Sequence, residues 1–356
     1  MSNNYIFDSH KLIYQIDRVN DFSRKGDCFP LYMEISVTGN CNHRCVFCAY
    51  DYIGHPGRKL EAGRLLKFID EIAACGVKSV LYAGEGEPLL HPDLYKFVSR
   101  SKDNGIDVGM YTNGQLLKSE LSERLLPLLT FVRFSFNGGT RDNYAEIHGV
   151  SPEAYDKVAD NIKKAAALKR KRKLGVDIGL QYVLLPENIK HLISAVRNFK
   201  DAGIDYFVIK PFVLQSSKQF YRMKNNVGLG RIADILDKAE SFSDGNFKVI
   251  GRRSSFENYG KRNYRHCYGT AFISVLNSAG DITACLPYWD KKEFIFGNIY
   301  ESAFRKIWLG EKRKKIKASL EQKMDIKSCP PNCRANAVNE FLWEIKNPSV
   351  KHVNFI

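Results

Sequence analysis

Gly39-Asn40-Cys41-Asn42-His43-Arg44-Cys45-Val46-Phe47-Cys48-Ala49-Tyr50 is a C-x3-C-x2-C loop placed directly after the short apolar run 32–37. Three soft thiolates so closely spaced can wrap one face of a cubane iron–sulfur cluster, which needs four ligands. Cys41, Cys45 and Cys48 therefore leave one iron open. A structural zinc ion would close its tetrahedron with a fourth ligand, and His43 is at hand, although its place inside the loop makes that geometry awkward. Spacing alone leaves zinc as an alternative.

Outward from the loop, short apolar runs alternate with longer stretches of helical period, the signature of β/α units around a parallel sheet. The pattern predicts strands at 32–37, 79–83, 107–111, 131–136, 176–184 and 206–210. It predicts helices at about 60–75, 92–104, 116–127, 153–171 and 188–202. Six strands are too few for a closed eight-stranded barrel, so the expected fold is α/β, a partial (β/α)6 barrel with its chemistry at the strand carboxyl ends. Residues 1–30 form a lead and 31–244 the partial barrel. From 245 to 356 the texture changes to short strands, a hairpin at Phe272–Ala284 and scattered cysteines, which predicts a small C-terminal metal-cluster domain. Its apolar pattern is too sparse for a large core, so bound metal is expected to hold it together.

The 356 residues include 54 Lys and Arg against 39 Asp and Glu, a balance of +15 that favours an anionic partner. The runs Lys169–Lys173 and Lys312–Lys315 read as solvated helix faces, and no nucleic-acid recognition motif accompanies them. No stretch approaches the roughly 20 apolar residues of a membrane span, and the polar Met1-Ser2-Asn3-Asn4 lacks a signal-peptide core. A cytoplasmic protein is expected, without membrane contact. In a reducing compartment the nine cysteines point to metal rather than disulfides, with Cys28 and Cys75 left over as ordinary thiols.

Further motifs fall at the predicted strand ends. Ala83-Gly84-Glu85-Gly86-Glu87-Pro88 is a glycine-rich turn in which backbone can approach a ligand and an acid can take an ammonium group. Tyr111-Thr112-Asn113-Gly114 can face a ligand or merely supply the backbone angles of a turn. With Arg133-Phe134-Ser135-Phe136-Asn137 and Leu180–Asn188, this chain resembles the radical S-adenosylmethionine (radical SAM) superfamily; Phe47 before the third cysteine is part of the likeness. The resemblance implies an open iron that binds the amino and carboxylate groups of S-adenosylmethionine, whose reductive cleavage yields a 5′-deoxyadenosyl radical that abstracts a substrate hydrogen. It implies that Gly84, Gly86 and Glu87 hold the methionine amino group, that Ser135 bonds ribose or carboxylate, and that Val183 and Leu184 bracket adenine. Asn113 faces the cofactor, and Asn188 is either a ligand or a helix cap. Relatives often carry an arginine for the carboxylate where this chain has Ile147-His148-Gly149, so His148 is a departure within the cofactor site.

Cys267, Cys285, Cys329 and Cys333, drawn from hairpin and tail, form a second metal-binding set, with zinc and iron–sulfur both open from spacing. The region resembles the SPASM/Twitch branch, and four cysteines fit its shorter form with one auxiliary [4Fe-4S] cluster, closed by protein ligands and suited to electron transfer. The resemblance implies an oxidation or redox-coupled rearrangement, an external one-electron donor such as flavodoxin or ferredoxin, and a sugar, nucleotide sugar or other anionic small molecule as substrate. A ribosomally made peptide, epimerised or crosslinked, is the alternative substrate, and a zinc-stabilised nucleic-acid-binding protein the alternative outside catalysis. Lys210 at the sixth strand end and Tyr50 after the cysteine loop are the candidate catalytic groups, with Tyr52, Gln215 and Trp289 as further pocket residues.

Overall fold

The structure, a computed structural model, describes residues 5, 7, 9–212, 229–258, 260–289 and 291–355, with the side chains of Tyr52 and residues 229–231 outside that description. Gln215 lies outside the described residues. Seven parallel strands run in chain order: β1 (Tyr32–Ile35), β2 (Ser79–Tyr82), β3 (Asp107–Thr112), β4 (Phe131–Ser135), β5 (Asp177–Leu184), β6 (Tyr206–Pro211) and β7 (Lys248–Gly251). The barrel is open, as six or seven such units require. β5 is buried along nearly its whole length, as expected of a central parallel strand covered on both faces.

After a lead helix α1 (Ile16–Lys25), the crossovers carry α2 (Ala62–Ala74), α3 (Leu94–Asp103), α4 (Ser119–Leu125), α5 (Arg141–His148), α6 (Glu153–Arg172), α7 (Leu192–Lys200) and α8 (Leu229–Glu240). Local chemistry starts and stops them. Glu61 caps α2 by accepting the amides of Gly63 and Arg64, and the basic run Lys169–Arg172 ends α6, where the helix dipole favours positive charge. Lys169 there pairs with Asp205 at 2.5 Å, and the rest of the run is solvated. The sequence pattern had no counterpart for α5, a two-turn helix that fits into the link between β4 and α6.

The C-terminal segment continues the sheet. β8 (Ile273–Leu276) lies parallel to β1 on the edge opposite β2, and β9 (Asp281–Thr283) and β10 (Ile295–Asn298) extend it antiparallel, giving one ten-stranded sheet. The helices α9 (Arg253–Glu257), α10 (Phe304–Trp308), α11 (Glu311–Gln322) and α12 (Asn336–Lys346) complete the chain. Leu276, Ile282, Phe296 and Trp308 belong to the same apolar core as Ile35, Phe68 and Val80. The expectation that this segment has too sparse an apolar pattern for a large core thus needs correction: it shares the barrel's core, part of which β1 and α2 supply, so its own pattern could not show it. Arg313 is a second correction. Within the run expected to be solvated it is fully buried, bonded to Asp27 by both terminal nitrogens at 2.6 and 2.9 Å and stacked 3.6 Å over the Trp308 ring.

Candidate functional site

The cysteine loop leaves the carboxyl end of β1 and is pinned on three sides. The Gly39 amide donates to the Arg58 carbonyl at 2.9 Å, and the Asn40 carbonyl accepts the Glu87 amide at 2.8 Å. From the far side, the Arg44 and Val46 amides donate to the carbonyls of His148 and Ile147, the last turn of α5. Each sulfur has a nitrogen beside it: the His43 amide donates to Cys41 at 3.5 Å and the Tyr50 amide to Cys48 at 3.4 Å, and His148 Nδ1 lies 3.3 Å from Cys45. Burial pushes all three thiols up, Cys41 to about 12. Such thiols ionise when a cationic centre arrives, so the donors stand ready for thiolates.

The glycine-rich turn after β2 buttresses this loop. A Cβ on Gly84 would meet Ser36 Oγ at 1.7 Å, and one on Gly86 would meet the Asn40 carbonyl at 2.1 Å. Glu87 is buried, and its carboxylate accepts from Thr112 Oγ1 (2.6 Å), the Asn113 amide (2.7 Å) and the Leu89 amide (3.1 Å). Desolvation pushes this carboxyl up to about 7 against the pull of those three donors. Asn113 in turn reaches back to the loop, its Nδ2 donating to Asn42 Oδ1 at 2.7 Å. The turn motifs thus first build the loop's support.

Two asparagines order the opposite wall. Asn137 Oδ1 accepts the Val183 amide at 2.6 Å, and Asn188 donates to the Asn137 and Val183 carbonyls while accepting the Leu185 amide. Asn188 makes no side-chain cap bond to the short helix that follows it. Its polar atoms serve the turn after β5.

Cys41, Cys45, Phe47, Cys48, Tyr50, Gly84, Gly86, Glu87, Asn113, Ser135, His148, Val183 and Lys210 line one cavity of about 660 Å³. Leu184 is not among the lining residues; its side chain joins the core, because alternate residues of a strand face opposite ways, which leaves open the adenine contact expected of its backbone. The far wall of the cavity includes Cys333 and Arg334. Cys267, Cys285, Cys329 and Cys333 are near enough for their charges to act on Cys285, and burial raises all four thiols. Between the two cysteine sets the chamber is basic. Lys210 lies among Arg252, Arg334 and Arg133 with Glu34 as the nearby carboxylate, and burial with these cations brings its ammonium down to about 7. Glu34 is bonded to Arg334 and Tyr32, while the Lys210 side chain has no hydrogen bond or ion pair among the described residues. Tyr50 is buried edge-on to Trp289 at 4.7 Å, and its hydroxyl has no hydrogen-bond partner among the described residues.

The sequence pattern described as the radical SAM superfamily matches residues 35–199, and that described as an iron-sulfur cluster-binding domain, SPASM, matches residues 267–335. The chain belongs to the radical SAM superfamily. Among curated relatives, a GTP 3′,8-cyclase of Limosilactobacillus fermentum is 27% identical over 308 residues, 82% of this chain and 86% of that protein. The dTDP-4-amino-4,6-dideoxy-D-glucose ammonia-lyase of Streptomyces venezuelae is 27% identical over 183 residues, 49% of this chain and 38% of that protein. Among solved structures, Streptococcus suis SuiB bound to S-adenosylmethionine superposes with a TM-score of 0.64 at 17% identity, covering 86% of this chain and 72% of SuiB; SuiB has also been solved bound to its precursor peptide SuiA.

As a radical SAM enzyme the chain takes [4Fe-4S] clusters and S-adenosylmethionine. The residues present fit them. Cys41, Cys45 and Cys48 offer three thiols, each beside a nitrogen, in the lining of a cavity large enough for a nucleoside. The ligand atoms of His43, Cys45 and His148 do lie within 4.8 Å of one another, but Cys41 and Cys48 stand outside that group. A single zinc ion on three cysteines and His43 is therefore not assembled, whereas a cubane spreads its thiolates over separate irons. Sequence reading missed Asn137, Gln115, Arg334 and Arg252. Their roles come from distant partners, and only the position of Asn137 at a strand end could have flagged it.

Proposed function

We propose that this radical SAM enzyme oxidises or rearranges a small anionic molecule, a sugar or nucleotide sugar, in the chamber between its two cysteine sets. When bound, the cluster on Cys41, Cys45 and Cys48 with S-adenosylmethionine supplies the radical that takes a substrate hydrogen. The observation that carries the substrate class is Lys210, whose side chain has no partner among the described residues and lies in the cavity beside Arg133, Arg252 and Arg334, with the one carboxylate acting on it, Glu34, already held by Arg334. A half-buried ammonium set among arginines favours an anion. The names of two relatives, a GTP cyclase and a lyase of a dTDP-sugar, agree with that chemistry.

The roles of the chain follow. Gly84, Gly86, Ser135 and Val183 frame the cofactor, with Phe47 beside the cluster loop. Lys210 and Arg252 hold the anion, and the Tyr50 hydroxyl meets a polar group of the substrate. Cys267, Cys285, Cys329 and Cys333 close one auxiliary cluster that exchanges an electron with the substrate radical, and an external flavodoxin or ferredoxin supplies the first electron. A peptide substrate is the second reading, supported by the SuiB structure with SuiA.

The test is anaerobic turnover with dithionite, S-adenosylmethionine and a panel of nucleotide diphosphate sugars beside precursor-type peptides. A sugar nucleotide should raise 5′-deoxyadenosine several-fold, with deuterium from the labelled substrate carried into it. Transfer of deuterium from a peptide, with every nucleotide inert, would replace this reading by the second.

A further inference from the structure

We propose that His148 is a tautomer-locked N–H donor to the Cys45 sulfur and thereby sets the reduction potential of the cluster on Cys41, Cys45 and Cys48. The imidazole is fully buried at the end of α5, and its orientation follows from its neighbours. Nε2 accepts the Asn137 amide at 3.1 Å and faces Asn137 Nδ2 at 3.3 Å. The Asn137 side chain cannot be turned round, because its Oδ1 takes the Val183 amide at 2.6 Å. Two donors on Nε2 leave it bare, so the proton of the neutral ring is on Nδ1.

Nδ1 has two neighbours, Cys45 Sγ at 3.3 Å and His43 Nδ1 at 3.4 Å. His43 is fixed in the complementary tautomer. Its Nε2 lies 2.7 Å from Gln115 Oε1, an oxygen that also accepts from Asn42 Nδ2 at 2.9 Å. The His43 proton is therefore on Nε2, and its Nδ1 is an acceptor. The His148 N–H is thus shared between a nitrogen and a sulfur, and a thiolate that ligates iron is the charged, stronger acceptor of the two.

The ring is also held in place. Tyr144 stacks on it at 4.1 Å, Phe47 meets it edge-on at 5.8 Å, and the backbone bonds from Arg44 and Val46 fix the end of α5 to the cysteine loop. Cys41 and Cys48 accept from amides two residues downstream in the loop itself. His148 is a donor from outside the loop. An N–H···S bond draws electron density from the sulfur and favours the reduced cluster, which raises its potential. His148 is on this account a positioning residue of the cluster.

The inference rests on the cluster occupying this loop, and the experiment separates the two. Reconstituted wild type, His148→Leu and His148→Gln are titrated potentiometrically under electron paramagnetic resonance, following the signal that changes on adding S-adenosylmethionine. His148→Leu should lower the reduction equilibrium constant about tenfold, which is about 59 mV for one electron, and His148→Gln, with an N–H to offer, should recover part of it. Pulsed spectra of wild type carrying histidine labelled with 15N in the imidazole ring alone, which leaves the His43 amide beside Cys41 silent, should show a nitrogen coupling that His148→Gln abolishes. An unchanged potential in His148→Leu, or a coupling that survives in His148→Gln, overturns the proposal. Should neither variant hold a cluster, the wild-type spectrum decides, and absence of 15N coupling overturns it. Absence of any cofactor-responsive signal in wild type would instead remove the cluster from this loop.

Discussion

The α-carbon of Gly86 packs so closely on the Asn40 backbone that a Cβ would sit 2.1 Å from the Asn40 carbonyl oxygen and 2.6 Å from that of Thr38. Both obstacles are backbone, and the next residue, Glu87, donates its amide to the same Asn40 oxygen. A glycine that looks like a ligand-approach device is therefore also the contact that lets one loop support another.

Gly86→Ala should accordingly cost about 3 kcal/mol, the upper range for forcing volume into packed structure, and lower iron retention after reconstitution. Gly57→Ala, whose Cβ would meet its nearest atom, Asn40 Oδ1, at 3.8 Å, is the control and should behave as wild type. Thermal unfolding with iron analysis measures both. Equal behaviour of the two variants would show that the loops do not pack this way.

Lys210 gives substrate binding a pH dependence whose sign is fixed. Its ammonium titrates near 7, and only the protonated form attracts an anion, so affinity is strong below 7 and fades as pH rises through it. For a group titrating there, the protonated fraction falls about tenfold between pH 6 and pH 8. The dissociation constant of a nucleotide diphosphate sugar, whose own charge is constant over this range, should rise by about that factor in calorimetric titrations. Lys210→Met should bind weakly and show no such slope. A flat profile in wild type would remove Lys210 from the anion site.

Arg313 ties the N-terminal lead to the C-terminal helices through Asp27, its charge buried between that carboxylate and the Trp308 ring. Removing one partner leaves an uncompensated buried charge, worth about 3–5 kcal/mol, whereas removing both costs less. Asp27→Ala should therefore be less stable in urea than the Asp27→Ala, Arg313→Met double variant. The response of the cluster signal to S-adenosylmethionine should be the same in both.

How much of this could be read in the chain depends on how local the cause is. The six barrel strands follow from apolar runs, and the structure places them within a residue or two of the predicted bounds. The cysteine loop is readable because its three ligands are adjacent in sequence. β8 beside β1 was not readable, since parallel pairing between residues 32–35 and 273–276 leaves no periodic mark in either segment. The same holds for His148, which looks like a substituted arginine until Asn137, His43 and Cys45 are seen around it. Arg313 sits among exposed basic residues in sequence, and only its partner Asp27, far away in the chain, distinguishes it.

Iron content separates the two cysteine sets. On the proposed assignment Cys41, Cys45 and Cys48 supply three ligands and Cys267, Cys285, Cys329 and Cys333 supply four, so only the first set would leave an iron for S-adenosylmethionine. Anaerobically reconstituted wild type should hold about eight irons, and the Cys41→Ala, Cys45→Ala, Cys48→Ala variant about four. The shared core of β1 and β8 should keep the variant folded, as its far-ultraviolet circular dichroism checks, so that its remaining irons report the second set alone. Its reduced spectrum should be indifferent to S-adenosylmethionine, while that of wild type shifts. Four irons in wild type and none in the variant would mean that the second set holds no cluster, and the electron exchange assigned to it would have to be given up.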